Sequence, residues 1–242
     1  MTIDPKELFG SSFFITIDGG RADLFRKAFS RAFSSEGWPM PTESRGYYDP
    51  SKKSTFCCEM SHMLLVKAAK AEGLPFVAIF EDDAYPRTDA ADMLRELLSD
   101  VPDDAHALVM GWNKLGARER SRGRCSRLKS YCWGSHAYVV FESWYDAYLS
   151  EYGRSPDAPS DLFFEKSDRC YVSNENLFIQ YCSKKSMNGW SGYVYDNGKH
   201  GNPPSGFPRI GELLNGERVN EPAKGESLPV SYLSNPYFYG AF

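Results

Sequence analysis

The chain lacks any run of about 18 or more apolar residues, which excludes a conventional membrane-spanning helix. Its first residues, MTIDPKELFGSSFFITID, lack a basic start followed by a long apolar stretch, so no secretory signal is read there. The location this implies is cytoplasmic, with peripheral membrane association still open. There is no excess of positive charge. Against 32 acidic residues stand 28 basic ones, for a net charge of −4, and a general nucleic-acid binder needs the opposite balance. The six cysteines, Cys57, Cys58, Cys125, Cys132, Cys170 and Cys182, include no CxxC pair. A disulfide scaffold is not expected at this length, and most of these thiols read as buried and reduced. A zinc site drawn from Cys57, Cys58, His62 and Cys125 has no standard ligand spacing. Repeats and low-complexity tracts are absent too.

What is present is ordinary globular material with many rings. Hydrophobic residues make up 42% of 242 residues, charged residues 25% and aromatics 15%. That bounds one domain over 1–242, with 189–242 read as an irregular extension wrapped on it. One basic stretch, Arg118 to Lys129, reads either as a solvated loop or as a rim that draws in an anionic substrate. Trp112, Trp133 and Trp190 serve either core packing or stacking on a flat ligand.

The order of elements begins strand, turn, helix. Phe13 to Ile17 is an apolar, β-branched run, and Asp18-Gly19-Gly20 breaks it. Leu24, Phe25, Ala28, Phe29, Ala32 and Phe33 then recur at helical spacing. Trp38 to Lys53 reads as a loop. A second helix carries Met60, Leu64, Leu65, Ala68 and Ala69, with Ser54 or Thr55 as its cap. Phe76 to Phe80 is continuously apolar, as in a strand covered on both faces. Further on, a helix is expected over 88–99, strands over 105–112, 131–141 and 177–181, and a helix over 143–152. The expected architecture is α/β, a mostly parallel central sheet with helices on both faces.

Glu81-Asp82-Asp83 follows the buried run directly. Carboxylates there are costly unless a cation or solvent meets them. Ligands in open α/β sheets bind beyond the carboxyl ends of the strands. Alternation along an extended segment sends Glu81 and Asp83 one way and Asp82 the other. Two carboxylates so spaced can converge on Mg²⁺ or Mn²⁺ and leave positions for diphosphate oxygens. A solvated acidic turn is the plain alternative.

Four ordered segments carry a resemblance. They are Ile15-Thr16-Ile17-Asp18 with Arg21 and Arg26; Cys58-Glu59-Met60-Ser61-His62; Gly73-Leu74-Pro75 through Phe80-Glu81-Asp82-Asp83; and Trp133-Gly134-Ser135-His136-Ala137-Tyr138 with Ser160-Asp161-Leu162-Phe163. In order and spacing they resemble glycosyltransferase family 25, the lipooligosaccharide and collagen galactosyltransferases, over roughly Phe13 to Tyr181. The resemblance implies a GT-A type fold and an inverting, metal-dependent transfer. The sugar passes from a nucleotide-diphosphate donor, a UDP-sugar first, to a glycan acceptor. Gly19-Gly20 departs from the polar and basic residues the family tends to carry in that loop.

Under this reading Asp83 is the first metal ligand and Glu81 the second, with His200 as a late ligand. Asp18, Asp82, Arg21, Arg26, Ser61, His62 and Lys199 are the candidates for holding the nucleotide-sugar. Asp161 is the candidate general base, with Glu175 in reserve. Each has a plain structural use as well: Asp18 as a turn residue, Arg21 and Arg26 as solvated helix residues, His62 as a packed histidine, Asp161 as the acid of a helix start. The same carboxylates also suit a metal-dependent nucleotidyltransferase or phosphohydrolase, and a non-catalytic nucleotide- or sugar-binding protein.

Overall fold

The structure is a computed structural model that describes residues 3–17, 19–120, 123–134, 136–154, 160–182, 192–195, 199–201 and 205–207. A short helix α1 (Pro5–Gly10) leads into strand β1 (Ser12–Thr16) and helix α2 (Gly19–Phe33). Strand β2 (Thr42–Arg45), helix α3 (Ser54–Ala71), strands β3 (Phe76–Glu81) and β4 (Ala84–Pro86) and helix α4 (Ala90–Asp100) follow. Then come β5 (Ala107–Gly111), β6 (Lys114–Leu115), β7 (Arg118–Arg120), β8 (Cys125–Leu128), β9 (Cys132–Trp133), β10 (Ala137–Phe141) and helix α5 (Tyr145–Arg154). The last strands are β11 (Cys170–Ser173), β12 (Phe178–Cys182), β13 (Gly192–Tyr195) and β14 (Lys199–Gly201).

The central sheet is mostly parallel in strand direction. β1 pairs parallel with both β2 and β3, and β5 pairs parallel with β11 and β12. β10 lies antiparallel between β3 and β5, so it reverses while β5 regains the direction of β3. Antiparallel pieces fringe this core: β4 and β13 on β12, and β8 on β11.

Alternation along β3 divides the core into two layers. Phe76, Ala78 and Phe80 join Phe9 of α1, Phe25 and Phe29 of α2 and Leu94 and Leu97 of α4. Val77 and Ile79 join Val66 and Ala69 of α3 and Tyr145 and Tyr148 of α5. A strand with apolar residues on both faces must be covered on both, and the helices of the two layers do so. The rings that enrich the composition are largely core: Phe14 stacks on Phe25 at 4.5 Å, and Phe9 meets Phe29 edge-on at 4.8 Å.

Three local expectations are corrected. The loop over 38–53 contains β2, a four-residue strand whose polar sequence, Thr-Glu-Ser-Arg, hides its pairing with β1. The basic stretch is a β7–β8 hairpin, stabilised across the ladder by Glu119, which faces Arg127 at 3.2 Å and Lys129 at 2.9 Å. The second helix begins at Ser54 with Lys53 at its cap position and no side-chain cap bond. Of the tail, the described part contributes β13 and β14 to the sheet; the rest of 189–242 lies outside the described residues apart from 205–207. Among the described residues no helix is long and apolar enough to cross a membrane.

Candidate active site

The carboxyl ends of β1, β3 and β5 lie at one edge of the sheet, joined there by the start of the reversed β10 and by β12. The segment after β3 is held at this edge by backbone bonds to three neighbours. Glu81 N–H donates to His136 O at 2.9 Å, Asp82 N–H to Ile15 O at 3.0 Å, and Tyr181 N–H to Asp83 O at 2.9 Å.

Strand alternation still governs the first two acids. Glu81 continues the side of Val77 and Ile79 and faces α3, where its Oε1 lies 3.6 Å from His62 Nε2. Asp82 continues the side of Phe80. It accepts from Thr16 Oγ1 at 2.7 Å and meets the guanidinium of Arg21, in the first turn of α2. The strand ends at Glu81, so alternation does not carry on to Asp83. The turn sets Asp83 between the two layers, 2.8 Å from Arg21 and 3.4 Å from Gln180 Nε2. All three acids therefore gather, whereas strict alternation sets Asp82 apart.

An amide relay reaches the acids from the far side. Gln180 Nε2 donates to Glu81 Oε2 at 3.0 Å, and Asn113 Nδ2 donates to Gln180 Oε1 at 2.7 Å. The Glu81 carboxylate, held ionised, accepts only, which fixes the orientation of both amides. Asn113 Oδ1 is then left buried without a partner among the described residues. Neither amide was singled out from the sequence; nothing local to residue 180 marks it as facing acids 97 and 99 positions away.

Burial and charge tune these groups in opposite directions. Burial pushes the Asp83 carboxyl up to about 8, against the pull of Arg21, with Glu81 and Asp82 adding to the rise. Burial also works upward on Glu81, but His62, 3.6 Å away, outweighs it and holds Glu81 below the usual carboxylate range. His62 is raised in return, since the Glu81 carboxylate overcomes the burial that disfavours its charge. His136 is lowered by burial, its ring nitrogens 2.7 Å from Gly134 O and 3.0 Å from Phe178 O.

Asp161, on a short 3₁₀ turn Ser160–Leu162, accepts from Gly134 N–H at 2.7 Å. Its charge is felt at Cys58, His62 and His136, so it borders the cluster. Trp133 beside it is 51% exposed and leans on Tyr131 at 5.5 Å. Trp112 is core, its Nε1 buried without a partner among the described residues.

Several candidates are not brought here. Arg26 bonds Asp23 at 2.8 Å, meets Glu43 and lies over the Phe14 ring, a fold-stabilising position on the middle of β1 and β2. Ser61 donates to Cys57 O at 2.8 Å and accepts from Tyr47 N–H at 2.7 Å, tying a loop to α3. Glu175, with its side chain 57% exposed, faces Arg124 at 3.5 Å and Arg87 at 3.9 Å. Asp18 and Trp190 lie outside the described residues, as do the side chains of Lys199 and His200, whose backbone forms β14.

No family model matches the chain, and no curated protein matches it. Among solved structures it is similar to a glycosyltransferase involved in the glycosylation of the major capsid of PBCV-1, at 11% identity and a TM-score of 0.37. That likeness covers 60% of this chain and 66% of that one. It is also similar to mannose-1-phosphate geranyltransferase from Thermus thermophilus, at 10% identity and a TM-score of 0.40, over 67% of this chain and 72% of that one.

Proposed function

We propose that the chain is a metal-dependent, inverting glycosyltransferase of GT-A type that takes its sugar from a nucleotide-diphosphate donor, a UDP-sugar first. The observation that carries this reading is the meeting of Glu81, Asp82 and Asp83 at the carboxyl edge of a mostly parallel sheet. Burial lifts Asp83 even with Arg21 against it, so the described charges leave room for a further cation. Carboxylate oxygens there suit Mg²⁺ or Mn²⁺. Asp83, with Glu81 and Asp82, would hold the ion, which supplies charge neutralisation for a departing diphosphate. The family 25 resemblance of the same segments supports the same choice of donor.

The chain's own groups have definable tasks. Arg21, at the start of α2, offers a planar fork to phosphate oxygens. Gln180 and Asn113 hold Glu81 and Asp83 in place. Asp161 takes the proton of the acceptor hydroxyl, since inversion in a single displacement needs a base on the acceptor side. The exposed Trp133 beside it offers an apolar face to a sugar ring, which supports a glycan acceptor. The chain over 1–242 acts as one domain in this proposal.

Calorimetry tests it. Nucleoside diphosphates and nucleotide-sugars are titrated into the parent and into Asp83→Asn, with Mn²⁺ and with a chelator. One nucleotide is expected to bind in the parent with Mn²⁺ only and to lose that binding in Asp83→Asn. Binding that ignores both metal and Asp83 overturns the proposal.

A further inference from the structure

On the side of Glu81 away from Asp83 lies a second group of ligand atoms. Cys58 and His62 are four residues apart on α3, so they share one face of the helix. Cys58 Sγ, a ring nitrogen of His62 and a carboxylate oxygen of Glu81 lie within 4.8 Å of one another. His62 is almost fully buried and Cys58 is partly open. The donor cluster uses neither.

The His62–Glu81 contact is the telling distance. At 3.6 Å it is too long for a hydrogen bond. It is close to the spacing of two ligands on a tetrahedral ion with bonds of about 2.0–2.3 Å, which is roughly 3.3–3.8 Å. The other ring nitrogen, Nδ1, lies 2.7 Å from Tyr138 Oη, itself 3.4 Å from Tyr148 Oη. With Nδ1–H donating to Tyr138, Nε2 faces Glu81, where the carboxylate favours a cation, a proton without metal and the metal ion in its place. Metal-bound histidines are oriented by this kind of outer hydrogen bond. Burial, then the charges of Glu81, Glu59 and Asp161, push the Cys58 thiol up, and a cation that displaces its proton meets those same carboxylates.

We infer that Cys58, His62 and Glu81 form a three-ligand site for a borderline transition-metal ion, Zn²⁺ first, beside the carboxylate cluster. A thiolate and an imidazole select such a metal over Mg²⁺ or Mn²⁺. Binding replaces the thiol proton of Cys58, and the proton that Glu81 favours on His62 Nε2, by the metal and releases them to solvent. Three protein ligands leave a fourth position for water, on the partly open side at Cys58. Glu81 serves both sites, Oε1 toward His62 and Oε2 toward Gln180. The inference does not depend on the donor being a nucleotide-sugar.

Cobalt titration of the metal-stripped full chain tests it, with Co²⁺ as the spectroscopic stand-in and Zn²⁺ as competitor. The parent is expected to give a thiolate-to-cobalt charge-transfer band that Zn²⁺ abolishes, with at least the Cys58 thiol proton released per metal. Cys58→Ser is expected to lose the band. Cys57→Ser keeps it, because Cys57 Sγ instead faces Asp49 O at 3.6 Å. Tyr138→Phe is expected to keep the band while binding about 10–100-fold more weakly. Asp83→Asn keeps the band even as it loses nucleotide binding, which separates the two sites. No band in the parent, a band surviving in folded Cys58→Ser, or a band lost in folded Cys57→Ser or Asp83→Asn overturns the inference.

Discussion

The Nη2 of Arg21 that lies 2.8 Å from Asp83 Oδ2 also meets Asp82 Oδ1, so one guanidinium serves two adjacent acids. Removing it leaves both carboxylates facing each other at a buried edge. Arg21→Gln is expected to cost about 2 kcal/mol in urea unfolding without metal. A charged hydrogen bond contributes about 1.5–3 kcal/mol; the Arg21 side chain is 31% exposed, and solvent screening keeps the cost below that of a fully buried pair. Saturating Mn²⁺ should shrink the difference, because a cation then takes over the charge. A loss that Mn²⁺ does not reduce would falsify the view that these acids share a cation site.

Asp83 gives a pH dependence of definite sign. Its carboxyl is pushed up to about 8 in the fold, against about 3.9 in an unfolded chain. Between those values the folded state binds the extra proton. Stability from this group is therefore full below about 3.9 and is lost as pH rises toward 8. In metal-free buffer the loss is expected to be on the order of a few kcal/mol. Asp83→Asn should flatten that part of the profile relative to the parent. Parallel profiles for the two proteins would sink the assignment.

Much of this site was legible because its signals are local. The continuous apolar run of β3 and the three acids after it lie within eight residues, and the two faces of the run set Glu81 and Asp82 against different helices. What was not legible is long-range. Gln180 reaches Glu81 across 99 positions because β12 pairs with β4 just past the acids. Its amide has no sequence pattern of its own. The hairpin of Arg118–Arg120 and Cys125–Leu128 was hidden by its charge, which reads as solvated until Glu119 is seen between Arg127 and Lys129. Arg26 illustrates the reverse case: its type and position suggested phosphate, but Asp23 and Glu43 already bond it.

Asp161→Asn separates chemistry from fold. The asparagine carbonyl can still accept from Gly134 N–H, as Asp161 Oδ2 does at 2.7 Å. Folding and metal-dependent donor binding are expected to stay near the parent's. Sugar transfer, read as donor-dependent release of nucleoside diphosphate in the presence of acceptor, should fall about 10²–10⁴-fold, the range a positioned base supplies. Transfer within a factor of a few of the parent would remove Asp161 from that role.

Gly134 joins the base side of the edge to the amide relay, and a methyl group there tests the connection. Its φ is +71°, a conformation that L side chains rarely adopt. A Cβ at 134 would also stand 2.2 Å from Asn113 Nδ2 and 2.5 Å from its Cγ. Backbone strain alone costs about 1–3 kcal/mol in Gly134→Ala. The clash adds a second cost by displacing the amide that holds Gln180. Gly134→Ala should therefore lose stability and weaken metal-dependent nucleotide binding together. Asn113→Ala removes the two nearest clashes, although its own Cβ stays 2.7 Å from the new one; it leaves the strain and frees Gln180. The double mutant should then be less destabilised than the sum of the singles, by more than the roughly 0.5 kcal/mol scatter of independent sites. Its nucleotide binding should stay as weak as in Asn113→Ala. Additive stabilities would mean that Gly134 acts through its backbone alone, and that the fit between Gly134 and Asn113 has no part in holding Gln180 against the acids.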